Sequence, residues 1–185
     1  MQNFNETANP APLGLAGFGM ATILLNIHNA GFYGMDSMIM AMGLLIGGLV
    51  QIIVGSWEWK KNNMFGMMAF SGYGFFWVSL VCLTFFPKMG LIDAPSATAM
   101  GCYLTVWAIF TLGLCIATLK HAKIMQVLFF LVFILFGLLA LNKFTGSHAF
   151  HTAAGFEGIL CGSLALYISL ATVINNEFGK NVLPL

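Results

Sequence analysis

Few residues in this chain can do chemistry, and those few lie in long apolar surroundings. Asn26, His28 and Asn29 fall within four positions of one another. Glu157 is the single acid in the uncharged run from Phe144 to Asn176, with His148 and His151 shortly before it. An imidazole exchanges a proton near neutral pH, so His28 suits proton carriage, and it equally suits a neutral, hydrogen-bonded role. Glu157 reads as a proton relay or gate, or as a hydrogen-bonded, partly protonated structural acid. Asn26, His28 and Asn29 are expected to pair with other helices or to line a vestibule, because unpaired polar groups at membrane depth are costly. His148 and His151 are too few for zinc, which takes four ligands, so no metal is expected. No nucleotide-binding loop, nucleophile–base pair or cofactor motif occurs, so neither an enzyme nor a bound cofactor is expected.

A second group opens the chain. In Asn9-Pro10-Ala11-Pro12-Leu13-Gly14-Leu15 the prolines suit a helix entrance and Asn9 suits a cap. N–H groups beyond Pro12 can face an anion, and the same spacing fits an ordinary helix start. All seven basic residues are Lys, so the bidentate guanidinium clamp for a carboxylate is absent. Glu58, Lys60 and Lys61 read as a solvated loop that also influences anion concentration at one mouth. Cys82, Cys102, Cys115 and Cys161 lie singly in apolar stretches and read as small buried residues.

The elements that must position these groups follow from charge. Of 185 residues, 59% are hydrophobic and 7% charged, against about 25% charged in soluble domains. Mean hydropathy is +0.91. Such a surface excludes a water-soluble fold, and a net charge of +1 gives no reason to expect nucleic acid. Uncharged stretches long enough to cross a bilayer, about 20 residues each, recur six times. They predict an all-α membrane protein, one six-transmembrane-helix bundle over 1–185, with helices near 13–33, 38–57, 66–86, 97–118, 124–142 and 152–174. The polar segment Met1–Ala8 has no basic stretch and does not read as a signal peptide. Lys60, Lys61, Lys120, Lys123 and Lys180 fall on the side of the termini, and Lys88 and Lys143 on the other. The positive-inside rule then puts both termini in the cytoplasm of a multi-pass cell-membrane protein. Gly43/Gly47 and Gly158/Gly162 have GxxxG spacing, which serves packing within the bundle or contact between subunits.

One resemblance goes further than these physical signals. The opening Asn9–Leu15 is similar to the signature of the acetate uptake transporter family, also called succinate–acetate permeases. The likeness continues through Gly17-Phe18-Gly19-Met20, Leu25–Gly31, Glu58-Trp59-Lys60-Lys61, Ala69–Gly74, Ala117-Thr118-Leu119-Lys120 and Glu177–Pro184. It implies a homohexamer in membrane lipid, with a pathway in each protomer for acetate and in some members succinate. It also implies a hydrophobic constriction of Phe, Tyr and Leu, which falls here on Phe18, Tyr73 and Val132. Val departs from the family's Leu and widens the ring slightly, with Leu131 taking the position if the register shifts by one. Asn62, Met64 and Gly72 also depart from the usual pattern. The three ring positions lie at similar depth in helices that start from the same side.

The expected function is therefore a channel or permease conducting acetate and other small carboxylates past an apolar ring. Asn9, Pro10, Pro12, Leu13 and Gly14 would stand at the substrate entrance, and the Tyr73 hydroxyl would offer the carboxylate a donor. Asn26, His28, Asn29 and Glu157 are the polar pathway candidates. A proton-coupled acetate symporter, with His28 or Glu157 carrying the proton, is the close alternative. A non-transporting membrane sensor or scaffold is the distant one.

Overall fold

The computed structural model describes residues 7–185. The expectation drawn from Met1–Ala8 falls almost wholly outside them. Six helices long and apolar enough to span a membrane run through the described residues. They are α1 (Ala11–Asn29), α2 (Ser37–Lys60), α3 (Met64–Lys88), α4 (Ala97–Lys120), α5 (Lys123–Thr145) and α6 (His148–Phe178). There is no strand among the described residues.

The helices start and stop where local chemistry dictates. Asp36, Asn63 and Ser96 accept first-turn N–H groups of α2, α3 and α4 at 3.1–3.2 Å, satisfying donors that a helix start leaves free. Gly146 and Gly179 end α5 and α6 in the left-handed conformation, at φ 67° and 60°. Several boundaries differ from the sequence expectation. Helix α1 stops at Asn29, not 33, and Gly31 (φ 95°) turns the chain just beyond it. The charged segment after Trp57 is not a loop: α2 runs on to Lys60, and Glu58 is buried at 1% exposure. Its carboxylate accepts from Asn63 Nδ2 at 2.6 Å, so Glu58 braces the turn into α3 where a solvated charge was expected.

Helix α1 packs most extensively against α6, and also against α2 and α3. Glycines allow that closeness. A Cβ on Gly162 would lie 2.8 Å from the Gly19 carbonyl oxygen, and one on Gly158 would overlap the Asn26 amide. Gly43 and Gly47 receive the Trp77 indole of α3. Both GxxxG pairs are thus used within the bundle. Helix α2 widens to π-helical winding over Met42–Val50, where Trp77 presses from α3 and Gly17 of α1 abuts the Ile46 carbonyl. Segments after α6 fold back onto it: Asn175 Oδ1 accepts from the Val182 and Leu183 amides, and Tyr167 donates to the Pro184 carbonyl. Of the cysteines only Cys161 is buried, while Cys102 lies exposed on the apolar outer face of α4, contrary to the uniform burial expected.

Candidate functional site

Two cavities enter the bundle from opposite ends. The first, about 200 Å³, sits among the starts of α1, α3 and α5, between Ala11, Asn63, Phe65 and His121. It holds roughly seven waters at ~30 Å³ each, ample for a molecule of four heavy atoms. Phe18, Tyr73 and Val132 all line it, and all three are buried. They stand 7, 9 and 9 residues beyond the starts of their helices, so they share a depth of about 10–14 Å. The Phe18 and Tyr73 rings lie 5.8 Å apart. Val132 lines the cavity and Leu131 does not.

The second cavity, about 230 Å³, lies at the other end, among Asn29, Met35, Thr84, Lys143 and His151. Between the two stands an aromatic layer. Phe136 stacks on Tyr73 at 6.4 Å and meets Phe76 edge-on at 4.9 Å. Phe76 and Trp77 already line the second cavity, one turn along α3 from Tyr73. The closure is therefore thicker than a single ring: it comprises the Phe18–Tyr73–Val132 level and the Phe76–Phe136 level behind it.

Polar groups along this route are mostly engaged. The Tyr73 hydroxyl donates to Thr111 Oγ1 at 3.0 Å, so its proton is already committed. At the start of α1, beside the cavity, Asn9 Oδ1 accepts the Ala11 N–H at 3.2 Å. The Leu13 and Gly14 amides donate to the Pro10 carbonyl. Pro12 is buried and its carbonyl accepts from Ser169, while Gly14 seats the Phe70 ring. The motif thus knits α1 to α3 and α6, with Lys61 Nζ 3.4 Å from Asn9 Oδ1, and it leaves no first-turn amide free for an anion. Asn26 is buried against Gly158 and lines neither cavity; its amide donates to the Thr22 carbonyl and accepts from Asn29. His28 and Asn29 line the second cavity. Glu157 lines neither, but both its carboxylate oxygens are buried without a hydrogen-bond partner. Tyr33, in the link after α1, donates to the Leu24 carbonyl, and burial pushes its hydroxyl pKa up with Asp36 adding to the effect.

Sequence reasoning missed several residues at this site. Gln51 is wholly buried in the first cavity's wall; its Nε2 donates to the Gly47 carbonyl at 2.5 Å and its Oε1 has no partner. The signal was present, as the lone amide in an apolar span. His121 stands at the first cavity's mouth with its ring 4.5 Å from Phe65, where only a tight turn was expected. Thr111, Phe129 and Phe136 carried no mark distinguishing them from ordinary core residues.

A multi-pass bundle whose opposed cavities are parted by a two-level aromatic closure fits a membrane transport protein. The family profile described as the GPR1/FUN34/yaaH family matches residues 2–184. The chain belongs to this family. It is 49% identical over 180 residues to the succinate-acetate/proton symporter SatP of Escherichia coli, covering 97% of this chain and 96% of that protein. A solved structure, that of the bacterial acetate channel SatP, superposes with a TM-score of 0.96 at 48% identity, over 97% of this chain and 99% of that one. The ammonia transport outward protein 2 of Saccharomyces cerevisiae is 36% identical over 94% of this chain and 64% of its own length.

Proposed function

We propose that this protein transports acetate and similar small carboxylates, succinate among them, along a path inside each protomer. The path runs from the first cavity, past Phe18, Tyr73 and Val132, through the Phe76–Phe136 layer and into the second cavity. The observation that carries this reading is the alignment of two cavities on one aromatic closure, in a chain 48% identical to a structurally matched acetate channel. The lysine bias supports cytoplasmic termini, which makes the first cavity the inner one. Asn9, Pro10, Pro12, Leu13 and Gly14 do not line the first cavity; only Ala11 and Leu15 of that segment do, so the expected entrance residues act by shaping the start of α1 and not by binding the anion. Assembly as a homohexamer is part of the same reading; Val106, Ile109 and Ile116 give α4 a broad apolar face for lipid or a neighbouring subunit. Nothing in this mechanism calls for catalysis.

The selectivity follows from the walls. A methyl group suits an apolar ring, whereas a carboxylate stripped of water there loses several kcal/mol unless donors replace it. Donors in the inner cavity are scarce because the Tyr73 proton and one of the two Gln51 amide protons are already taken. That scarcity favours a second reading, in which a proton crosses with the anion. Glu157, with its unpartnered carboxyl group, and His28 are the candidate carriers. Uptake of labelled acetate into proteoliposomes, corrected for protein-free vesicles, tests transport. Flux no greater than in the empty vesicles overturns it and favours a sensor or scaffold. Accumulation above the acetate gradient, driven by inward protons and abolished by an uncoupler, selects the symporter. Labelled methylammonium uptake in the same vesicles, with no carboxylate flux, points instead to the ammonia-type activity named for the yeast relative.

A further inference from the structure

The lysines that end α2 face a groove outside the transport path. Where α2 ends beside the start of α1, a groove of about 390 Å³ is lined by Thr7, Ala8, Pro10, Trp57, Lys60 and Lys61. Both lysines are exposed. The Lys61 ammonium reaches the Asn9 side-chain oxygen at 3.4 Å, which holds it over the groove. An ammonium has three donors, so this contact leaves two for a ligand. The acid of the same segment does not offset these charges at the surface. Glu58 is buried, with its carboxylate turned into the protein against Asn63 and Gly66 at the start of α3. The groove therefore presents two cations, and none of its lining residues is acidic.

From the groove an apolar rail runs down the outer face of α2. Leu45, Leu49, Ile53 and Trp57 recur every four residues and are 43–51% exposed, so they form one stripe. From Trp57 to Leu45 the helix rises about 18 Å. One leaflet of hydrocarbon is about 15 Å deep, half of a ~30 Å core. The rail is thus as long as an acyl chain in a single leaflet. Trp59 is also exposed at the lysine end, and indoles settle at the boundary between headgroups and hydrocarbon.

We propose that groove and rail together bind one anionic phospholipid, with its phosphate between Lys60 and Lys61 and an acyl chain along Trp57, Ile53, Leu49 and Leu45. A soluble phosphate or carboxylate uses the lysines alone; a rail that continues from them suits a lipid. A zwitterionic headgroup brings its own ammonium against the two lysines, so the site prefers net negative charge. Pro10 lines the groove, and the next residue, Ala11, lines the first cavity. A lipid seated here braces the start of α1 from the membrane side.

The test is native mass spectrometry of the full-length protein in detergent, titrated with dioleoylphosphatidylglycerol, dioleoylphosphatidylcholine or glycerol 1-phosphate. Phosphatidylglycerol is retained in preference to phosphatidylcholine. Lys60→Gln and Lys61→Gln each weaken its retention by about fivefold, and together by about 25-fold, while Lys180→Gln stays at wild type. Leu49→Ser also weakens retention and leaves the oligomer masses unchanged. Equal retention of the two lipids, or wild-type retention in the double lysine variant, overturns the proposal. Displacement of phosphatidylglycerol by equimolar glycerol 1-phosphate makes the groove a site for a soluble anion and overturns it too. So does a Leu49→Ser protein whose oligomer mass changes while its lipid retention stays at wild type, because the rail is then a contact between copies.

Discussion

Replacing Tyr73 by Phe separates the two roles a tyrosine can play in the constriction. The ring packs on Phe18 and Phe136, and the hydroxyl donates to Thr111 across the α3–α4 boundary. Tyr73→Phe keeps the ring and deletes the bond. A neutral buried hydrogen bond contributes about 1 kcal/mol net. Thr111 can turn its hydroxyl to the carbonyl one helical turn back, which limits the damage. About 1 kcal/mol corresponds to roughly fivefold in rate. A hydroxyl that donates directly to the crossing carboxylate would contribute about 1.5–3 kcal/mol, or roughly 10–150-fold. The structure commits this proton to Thr111, so acetate flux in Tyr73→Phe stays within about fivefold of wild type. The assay is initial-rate uptake of labelled acetate at matched protein density, with thermal unfolding in detergent to confirm assembly. A loss beyond tenfold in a folded variant refutes the reasoning and makes the hydroxyl a substrate donor.

Further perturbations have equally definite outcomes. Phe18→Ala widens the inner closure, so larger carboxylates such as succinate gain on acetate in competition uptake; an unchanged ratio removes Phe18 from the pathway. Gly162→Ala forces a Cβ to within 2.8 Å of the Gly19 carbonyl, and the resulting overpacking lowers stability by about 1–3 kcal/mol, read as a lower melting temperature. If Glu157 carries the proton, Glu157→Gln retains downhill acetate flux and loses accumulation against a gradient; retained accumulation excludes it as the carrier. Glu58→Ala removes the acceptor of Asn63 and loosens the turn into α3, which shows as a lower melting temperature while an exposed-charge control, Lys180→Ala, stays at wild type.

The spans were legible in the sequence because charge is excluded from hydrocarbon, so each uncharged stretch marks a crossing whatever its packing. The proposed ring came from a resemblance that pointed to Phe18, Tyr73 and Val132, and the structure places all three on one cavity wall at similar depth. What escaped was burial decided by tertiary contact. Glu58 sits in a run with two lysines and looks solvated, yet Asn63 and Gly66 enclose it. Gln51 looks like a chance amide until α1 and α3 close around the π-helical turn before it. The Asn9–Gly14 motif looks like an anion cradle, but Pro10 and Asn9 occupy its amides. The outer cavity draws on residues from every helix, and no local pattern announces that His28 and His151 meet.

The central claim is that acetate passes inside the protomer, between Phe18, Tyr73 and Val132. Val132→Trp tests it most directly, with Phe130→Trp as the outward-facing control, since Phe130 is 54% exposed on the same helix. Both variants are reconstituted and assayed for labelled acetate uptake beside wild type. The account predicts that Val132→Trp falls to the rate of protein-free vesicles while Phe130→Trp transports normally. Wild-type flux through a correctly assembled Val132→Trp protein would contradict it and place the path elsewhere.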